Sequence, residues 1–264
     1  MEFVDTHCHL DDDAFGQDLP AVLDAARAAG VRHFVNIGYE PRSWERSLEL
    51  AHTFPDVSYV LGMHPNSAEL WNPETAAQLE RLLEQARPVA IGETGLDFYR
   101  ERADHGVQRQ AFRDQLMLGR CFDLPVIIHM RGSVEDEIIA NLADFPDVRV
   151  ILHSFDGSAT LRDFLLARGD VVGVGGLMTR AASTDLREVL RSVPLESIVL
   201  ETDSPYLVPK GVKERRNTPV SIPLIAATLA DLLGRSVQEI SRQTTANAHR
   251  LLGLPELART EVAS

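Results

Sequence analysis

Phe3-Val4-Asp5-Thr6-His7-Cys8-His9 is the first extended stretch of the chain, and it passes from apolar residues straight into His-Cys-His with no intervening glycine. An open, doubly wound parallel sheet carries a glycine-rich phosphate loop at this point, where its first strand turns into its first helix. No such loop is present, which favours a closed barrel. Side chains alternate along a strand, so His7 and His9 aim at one face and Cys8 at the other. The two imidazoles therefore form a chelating pair, although a lone His-x-His on a strand is more often simply packed or exposed.

Outward from this stretch, short β-branched and apolar runs alternate with amphipathic Ala/Leu/Arg/Glu-rich segments, the pattern of a parallel sheet with crossover helices. Strands are predicted at Phe3–His7, His33–Ile37, Val57–Met63, Val89–Gly92, Val126–His129, Val148–His153, Val171–Gly175 and Ile198–Glu201. Helices are predicted near Leu19–Ala29, Ser43–Thr53, Glu74–Ala86, Val107–Phe122, Val134–Ala143, Ala159–Ala167, Thr184–Ser192 and Val220–Leu233, with a further one near Val237–Leu252. Gly30, Gly169, Pro88 and Pro125 punctuate turns from helix to strand. The expectation is an α/β fold, a (β/α)8 TIM barrel with an extra C-terminal helix, occupying residues 1–264 as a single domain.

The 264 residues are 44% hydrophobic and 25% charged, enough for a large core and unlike a disordered or fibrous chain. A net charge of −13 argues against binding nucleic acid through a broad basic surface, so a phosphate substrate would be captured locally. Lys210, Lys213, Arg215 and Arg216 form one basic segment, equally readable as a solvated loop or as part of such a capture surface. The N-terminus lacks the charged and apolar regions of a signal peptide, and no apolar run is long enough to span a membrane. Together with two cysteines, Cys8 and Cys121, in no disulfide-like spacing, this places the protein in the cytoplasm, with no membrane partner.

Barrel active sites lie at the C-terminal ends of the strands. There the sequence puts His7 and His9 on strand one, His64 after strand three, Glu93 on strand four, His129 on strand five, His153 on strand six, and Glu201 and Asp203 on strand eight. Crowding these groups without a cation would incur desolvation and repulsion, and a divalent metal relieves both. Oxygen and nitrogen donors together admit Zn2+, Mn2+ or Mg2+. His33, His52, His105 and His249 fall away from this rim and read as ordinary structural histidines.

The segments Asp5-Thr6-His7-Cys8-His9-Leu10, Ile91-Gly92-Glu93-Thr94-Gly95-Leu96-Asp97, His129 with Arg131, His153-Ser154-Phe155-Asp156-Gly157 and Glu201-Thr202-Asp203-Ser204-Pro205-Tyr206-Leu207 resemble, in order, the signatures of TatD-type deoxyribonucleases. Gln108, Phe112, Gln115, Leu116, Arg216-Asn217 and Asn247 resemble its lesser motifs, so the likeness runs from residue 3 to about residue 253. His-x-His alone marks the wider amidohydrolase superfamily; a glutamate at 93, where many dinuclear members carry a modified lysine, resembles the TatD branch. The resemblance implies two divalent ions, one held by His7, His9, Glu93 and Asp203 and another by Glu93, His129 and His153. It also implies substrate contacts at His64, with Arg131 and Asn217 as further candidates. Gly132 departs from the family, which often has Asp after this arginine.

The expected activity is metal-dependent phosphodiester hydrolysis, with two ions about 3.5–4 Å apart polarising a phosphoryl oxygen. Glu93 and Asp203 are the catalytic candidates, Asp203 as general base. Asp5, Asp97 and Glu201 are placed to orient metal-bound imidazoles from behind, Asp5 and Glu201 being equally readable as bonding loop backbone. Phe98, Tyr99 and Phe155 follow strands four and six and could stack on a base. A barrel closed at its bottom suits a chain end, making the 3′ end of single-stranded DNA the expected substrate of a monomeric 3′–5′ exonuclease. The same centre would also serve an ester or amide hydrolase, an aminoacyl-tRNA deacylase included, or survive in a non-enzymatic metal-binding scaffold.

Overall fold

Valine and isoleucine dominate the extended runs because their branched side chains fit a pleated surface buried on both faces. In the computed structural model, which describes residues 1–255, these runs form eight parallel strands in sequence order. They are β1 (Phe3–Cys8), β2 (Val31–Gly38), β3 (Val57–Leu61), β4 (Ala90–Asp97), β5 (Val126–Arg131), β6 (Val150–Leu152), β7 (Val171–Val174) and β8 (Ile198–Leu200). The helices between and after them are α1 (Leu19–Ala28), α2 (Pro41–Thr53), α3 (Pro73–Ala86), α4 (His105–Phe122), α5 (Glu135–Ala143), α6 (Ala159–Arg168), α7 (Thr184–Leu190), α8 (Ile222–Leu233) and α9 (Val237–Leu252). This is the expected (β/α)8 barrel with an extra C-terminal helix. Residues 256–264 of the expected 1–264 domain lie outside the described residues.

Helix starts follow local chemistry. Asp104 caps α4 by accepting the Gly106 and Val107 N–H groups, Ser158 caps α6 and Ser236 caps α9, each satisfying a donor that the first turn leaves without a partner. Asn72 and Thr75 form a reciprocal capping box at α3.

Two apolar layers follow from the alternation of the strands. Val4, Val35, Ile37, Val60, Ala90, Ile127, Ile151, Val171 and Val199 fill the interior, and Ala248, Leu251, Leu252 and Leu254 from α9 and just beyond pack onto them. The last helix therefore seals one end of the barrel. A larger outer layer, including Phe34, Trp44, Phe112 and Phe145, joins strands to helices. Cys8 faces that outer layer, its thiol toward Val35 O at 3.4 Å, as strand alternation requires.

Between β8 and β1 the sheet closes mainly at the rim. The Asp203 N–H donates to His7 O at 2.9 Å and the His9 N–H to Ser204 O at 2.7 Å, while the Thr6 hydroxyl reaches Leu200 O at 3.0 Å. The seam thus sets residues of the His-Cys-His and Thr-Asp-Ser segments side by side. Among the described residues, no single helix is long and apolar enough to cross a membrane.

Candidate metal centre

Glu93 owes its position to an irregularity in β4. The ladder with β5 shifts register between Ile91 and Thr94, a bulge of the kind that re-aims a side chain near a site. Gly92, at φ +142° within the shift, permits it, since a Cβ there would lie 2.7 Å from Ile127 O; Gly95, at φ +138° just beyond, lets the strand continue where a Cβ would lie 2.0 Å from His129 O. The strand consequently runs on to Asp97, five residues beyond the predicted end at Gly92, and Glu93 lies within it.

The two carboxylate oxygens of Glu93 face different groups. Oε2 lies 3.3 Å from His7 Nε2, while Oε1 lies 2.6 Å from His129 Nδ1, 3.7 Å from His64 Nε2 and 3.8 Å from His153 Nε2. Asp203 Oδ1 is 3.2 Å from His9 Nε2, 3.8 Å from His7 Nε2 and 3.9 Å from His153 Nε2. All six sequence-predicted metal ligands therefore meet in one cluster, with His7, His9, Glu93 and His153 buried and His129 and Asp203 partly so. Ligand atoms fall within 4.8 Å of one another in three sets: His7, His9 and Glu93; His7, His153 and Asp203; and His64, Glu93 and His129.

The donor set fits divalent cations on a structural criterion. His7 Nε2, the nitrogen that faces Glu93 and Asp203, is buried with no hydrogen-bond partner, an arrangement that is costly unless a cation coordinates it. His64 is different. Its Nδ1 accepts the Asn66 N–H at 2.9 Å, which leaves the proton of the neutral ring on Nε2, the atom facing Glu93. Burial, and then His129, pull its pKa down to about 3, so it stays neutral and presents a donor. His64 thus suits an anionic oxygen better than a cation.

Charge is concentrated here. Burial disfavours the Glu93 carboxylate, yet His64, His153, His7 and His129 together hold its pKa well below the usual range. Burial likewise opposes ionised Asp203, and His9, His153 and His7 prevail to keep it low. His153 would be neutral by burial alone; Glu201, Glu93 and Asp203 raise it to about 10.

The three carboxylates expected behind the ligands separate into two roles. Glu201 Oε1 lies 3.0 Å from His153 Nδ1 and accepts the Ser154 N–H, so His153 is left to point Nε2 at the cluster. Asp97 Oδ2 lies 3.4 Å from His129 Nε2 and accepts from Asn66 Nδ2. Asp5 contacts no imidazole. It accepts the Thr202 N–H and hydroxyl and the His7 N–H, and burial pushes it up to about 7; it holds the β1–β8 seam.

Asn217, a candidate substrate contact, requires correction. It is fully buried, its Nδ2 donates to Thr202 O, and its Oδ1 accepts from Thr218 N–H and the Ser221 hydroxyl. Its side chain thus ties the Thr218–Ser221 segment to the backbone just before Asp203, which adopts the left-handed region at φ +55°. Arg131 is exposed and lies 4.6 Å over the Tyr99 ring. Within the basic segment, Arg216 is committed to Asp18 at 2.7 Å. Asn66, which links His64 to Asp97, was missed by sequence reasoning; one asparagine in a loop carries no pattern.

The profile of the family described as "TatD related DNase" matches residues 4–253. The chain belongs to the TatD family. It is therefore an enzyme, a metal-dependent hydrolase acting on ester bonds. Among its relatives, the protein named 3′-5′ ssDNA/RNA exonuclease TatD of Erwinia tasmaniensis is 35% identical over 257 residues, covering 95% of this chain and 99% of that one. The protein named uncharacterized metal-dependent hydrolase YabD of Bacillus subtilis is 31% identical over 248 residues, covering 94% and 97%. The crystal structure of YjjV, a TatD homologue from Escherichia coli, superposes with a TM-score of 0.91 at 32% identity, covering 96% and 98%. An organophosphorus hydrolase variant at 14% identity and TM-score 0.68 shares the fold.

Proposed function

We propose that this TatD-family chain is a 3′–5′ exonuclease on single-stranded DNA that works with two divalent cations. The observation that carries the two-site reading is Glu93, whose oxygens face His7 on one side and His129 on the other. His7, His9, Glu93 and Asp203 would hold one ion and Glu93, His129 and His153 the other. Bound there, divalent ions supply Lewis acidity toward a phosphoryl oxygen and lower the pKa of water.

The chain's own groups then divide the work. Asp203, held ionised by its histidine neighbours, takes the proton of the attacking water. His64 donates its Nε2 proton in a hydrogen bond to a non-bridging phosphate oxygen, and being neutral it does not compete for the cations. Asp97 and Glu201 fix the rings of His129 and His153. Because α9 seals the far end of the barrel, substrate enters and leaves by the rim, which suits a chain terminus. Several relatives are named 3′-5′ ssDNA/RNA exonucleases, in keeping with this substrate. All the assembled ligands come from one chain, so we assign the activity to a monomer. A reducing, cytosolic setting suits its free Cys8 and Cys121.

Cleavage of 3′-labelled and 5′-labelled single-stranded DNA and RNA by metal-stripped protein, with Mg2+, Mn2+ or Zn2+ restored separately, tests the proposal. Metal-dependent shortening from the 3′ end, abolished in a folded Asp203→Asn variant, is expected. Hydrolysis of a carboxylic ester in preference to every oligonucleotide would move the assignment to an esterase or amidase.

A further inference from the structure

Of the three aromatic residues in the loops after β4 and β6, two are already engaged. Phe155 is buried at 3% exposure. Phe98 is stacked on His105 with ring centroids 3.7 Å apart, and the Arg109 guanidinium lies 4.8 Å from its centroid. Tyr99 is 68% exposed and is backed by the Arg131 guanidinium at 4.6 Å.

Its backbone is tied to the metal centre. Asp97 Oδ1 accepts the N–H groups of Tyr99 at 3.1 Å and Arg100 at 3.0 Å, while the other oxygen of the same carboxylate lies 3.4 Å from His129 Nε2. Arg131 pairs in register with Asp97 and, two residues beyond His129 on β5, projects to the same face as that ligand. The segment is packed down by Gly132, at φ +93°: a Cβ there would lie 3.2 Å from Tyr99 N and 3.3 Å from Phe98 C. The backbone that carries this exposed aromatic ring, with a cation beside the ring, is therefore one carboxylate away from the candidate centre.

Resting on the nuclease reading, we propose that Tyr99, supported by Arg131, is the platform on which the 3′-terminal base stacks while its phosphodiester occupies the metal centre. Every base has a π-face, so this contact favours a nucleotide end without selecting sequence. Arg131 behind the ring contributes a cation–π interaction and limits its motion.

The test compares a single-stranded oligonucleotide with the same oligonucleotide carrying an abasic 3′-terminal residue, using wild-type protein, Tyr99→Ala, Tyr99→Phe and Tyr206→Ala. Tyr99→Ala is expected to lower kcat/KM on the normal end about tenfold or more, chiefly through KM, and Tyr99→Phe to restore it. On the abasic end, wild type and Tyr99→Ala are expected to be equal. An equal penalty on both substrates would show a structural effect of the loop and overturn the platform. So would no penalty, or a base-dependent penalty that falls on Tyr206→Ala instead. Wild-type protein that cleaves neither oligonucleotide would defeat the nuclease reading itself, whereas normal cleavage without base dependence defeats the platform alone.

Discussion

Histidine is used differently at the two ends of this barrel. At the sealed end, His33 is buried beside α9 with its Nε2 2.8 Å from the Ser58 hydroxyl, and burial followed by His249 lowers its pKa to about 4. It is a neutral, packed side chain. At the open rim, His7 is equally buried but both of its nitrogens lack hydrogen-bond partners, and it stacks on His153 with centroids 3.5 Å apart. The first arrangement completes a core. Each leaves a buried ring nitrogen without a hydrogen-bond partner, Nδ1 in His33, but only in His7 is that also true of the nitrogen facing two carboxylates, Glu93 and Asp203, as expected where packing has been shaped for a bound cation and not for the empty fold.

Three measurements would break or sharpen this contrast. The largest effect belongs to Glu93→Gln, which removes charge between the two sets of histidines. Losing Lewis-acid stabilisation worth several kcal/mol predicts a fall in kcat of about 10³-fold. The same variant, stripped of metal, should unfold in denaturant within about 1 kcal/mol of the parent; a larger loss would mean that the rim carries the fold. Next, Leu251→Ala at the sealed end opens a cavity in the packed interior and should cost about 3 kcal/mol in denaturant unfolding. Its kcat per folded molecule should remain that of the parent, and a parallel drop in kcat would erase the division between the ends.

The smallest effect is a pH dependence at the sealed end. His33 titrates near 6.5 in the unfolded chain and about 4 in the folded one. Its contribution is therefore complete above pH 6.5 and lost as pH falls toward 4, because the unfolded chain binds the proton first. The loss amounts to at most about 3 kcal/mol at pH 4. His33→Gln should flatten that part of the acid limb in metal-free unfolding curves; an unchanged slope would show that His33 is already protonated in the fold.

Much of this architecture was legible because its period is physical. Apolar runs and amphipathic segments alternate, and strand ends carry ligand-type side chains whatever the loops do, so the six metal-ligand candidates could be placed by position. The reading failed where a residue's surroundings decide its role. Gly92 looks like a strand terminator, yet it lies within the register shift that re-aims Glu93, and Gly95 lets β4 continue against the His129 carbonyl. Asn217 beside Arg216 looks like a substrate contact, and only the packing shows its side chain bonded to Thr202 O, the Thr218 N–H and the Ser221 hydroxyl. Asp5 and Glu201 are indistinguishable as acids on strands. One bonds Thr202 and the other approaches His153, a difference of a few ångströms in three dimensions.

The apolar plug of α9 also bears on how the chain is made. Val4 enters the barrel interior from β1, near the beginning of the sequence, yet Leu251 and Leu252, which pack against the same interior, come some 250 residues later. The Ser241 and Thr245 hydroxyls of α9 reach back to Glu2 O. During synthesis the strands emerge in order, and the α9 side chains that cover this interior follow only after all eight. Interruption of translation before that point would yield a chain with eight strands and an uncovered apolar opening, a form prone to self-association and open to proteolysis.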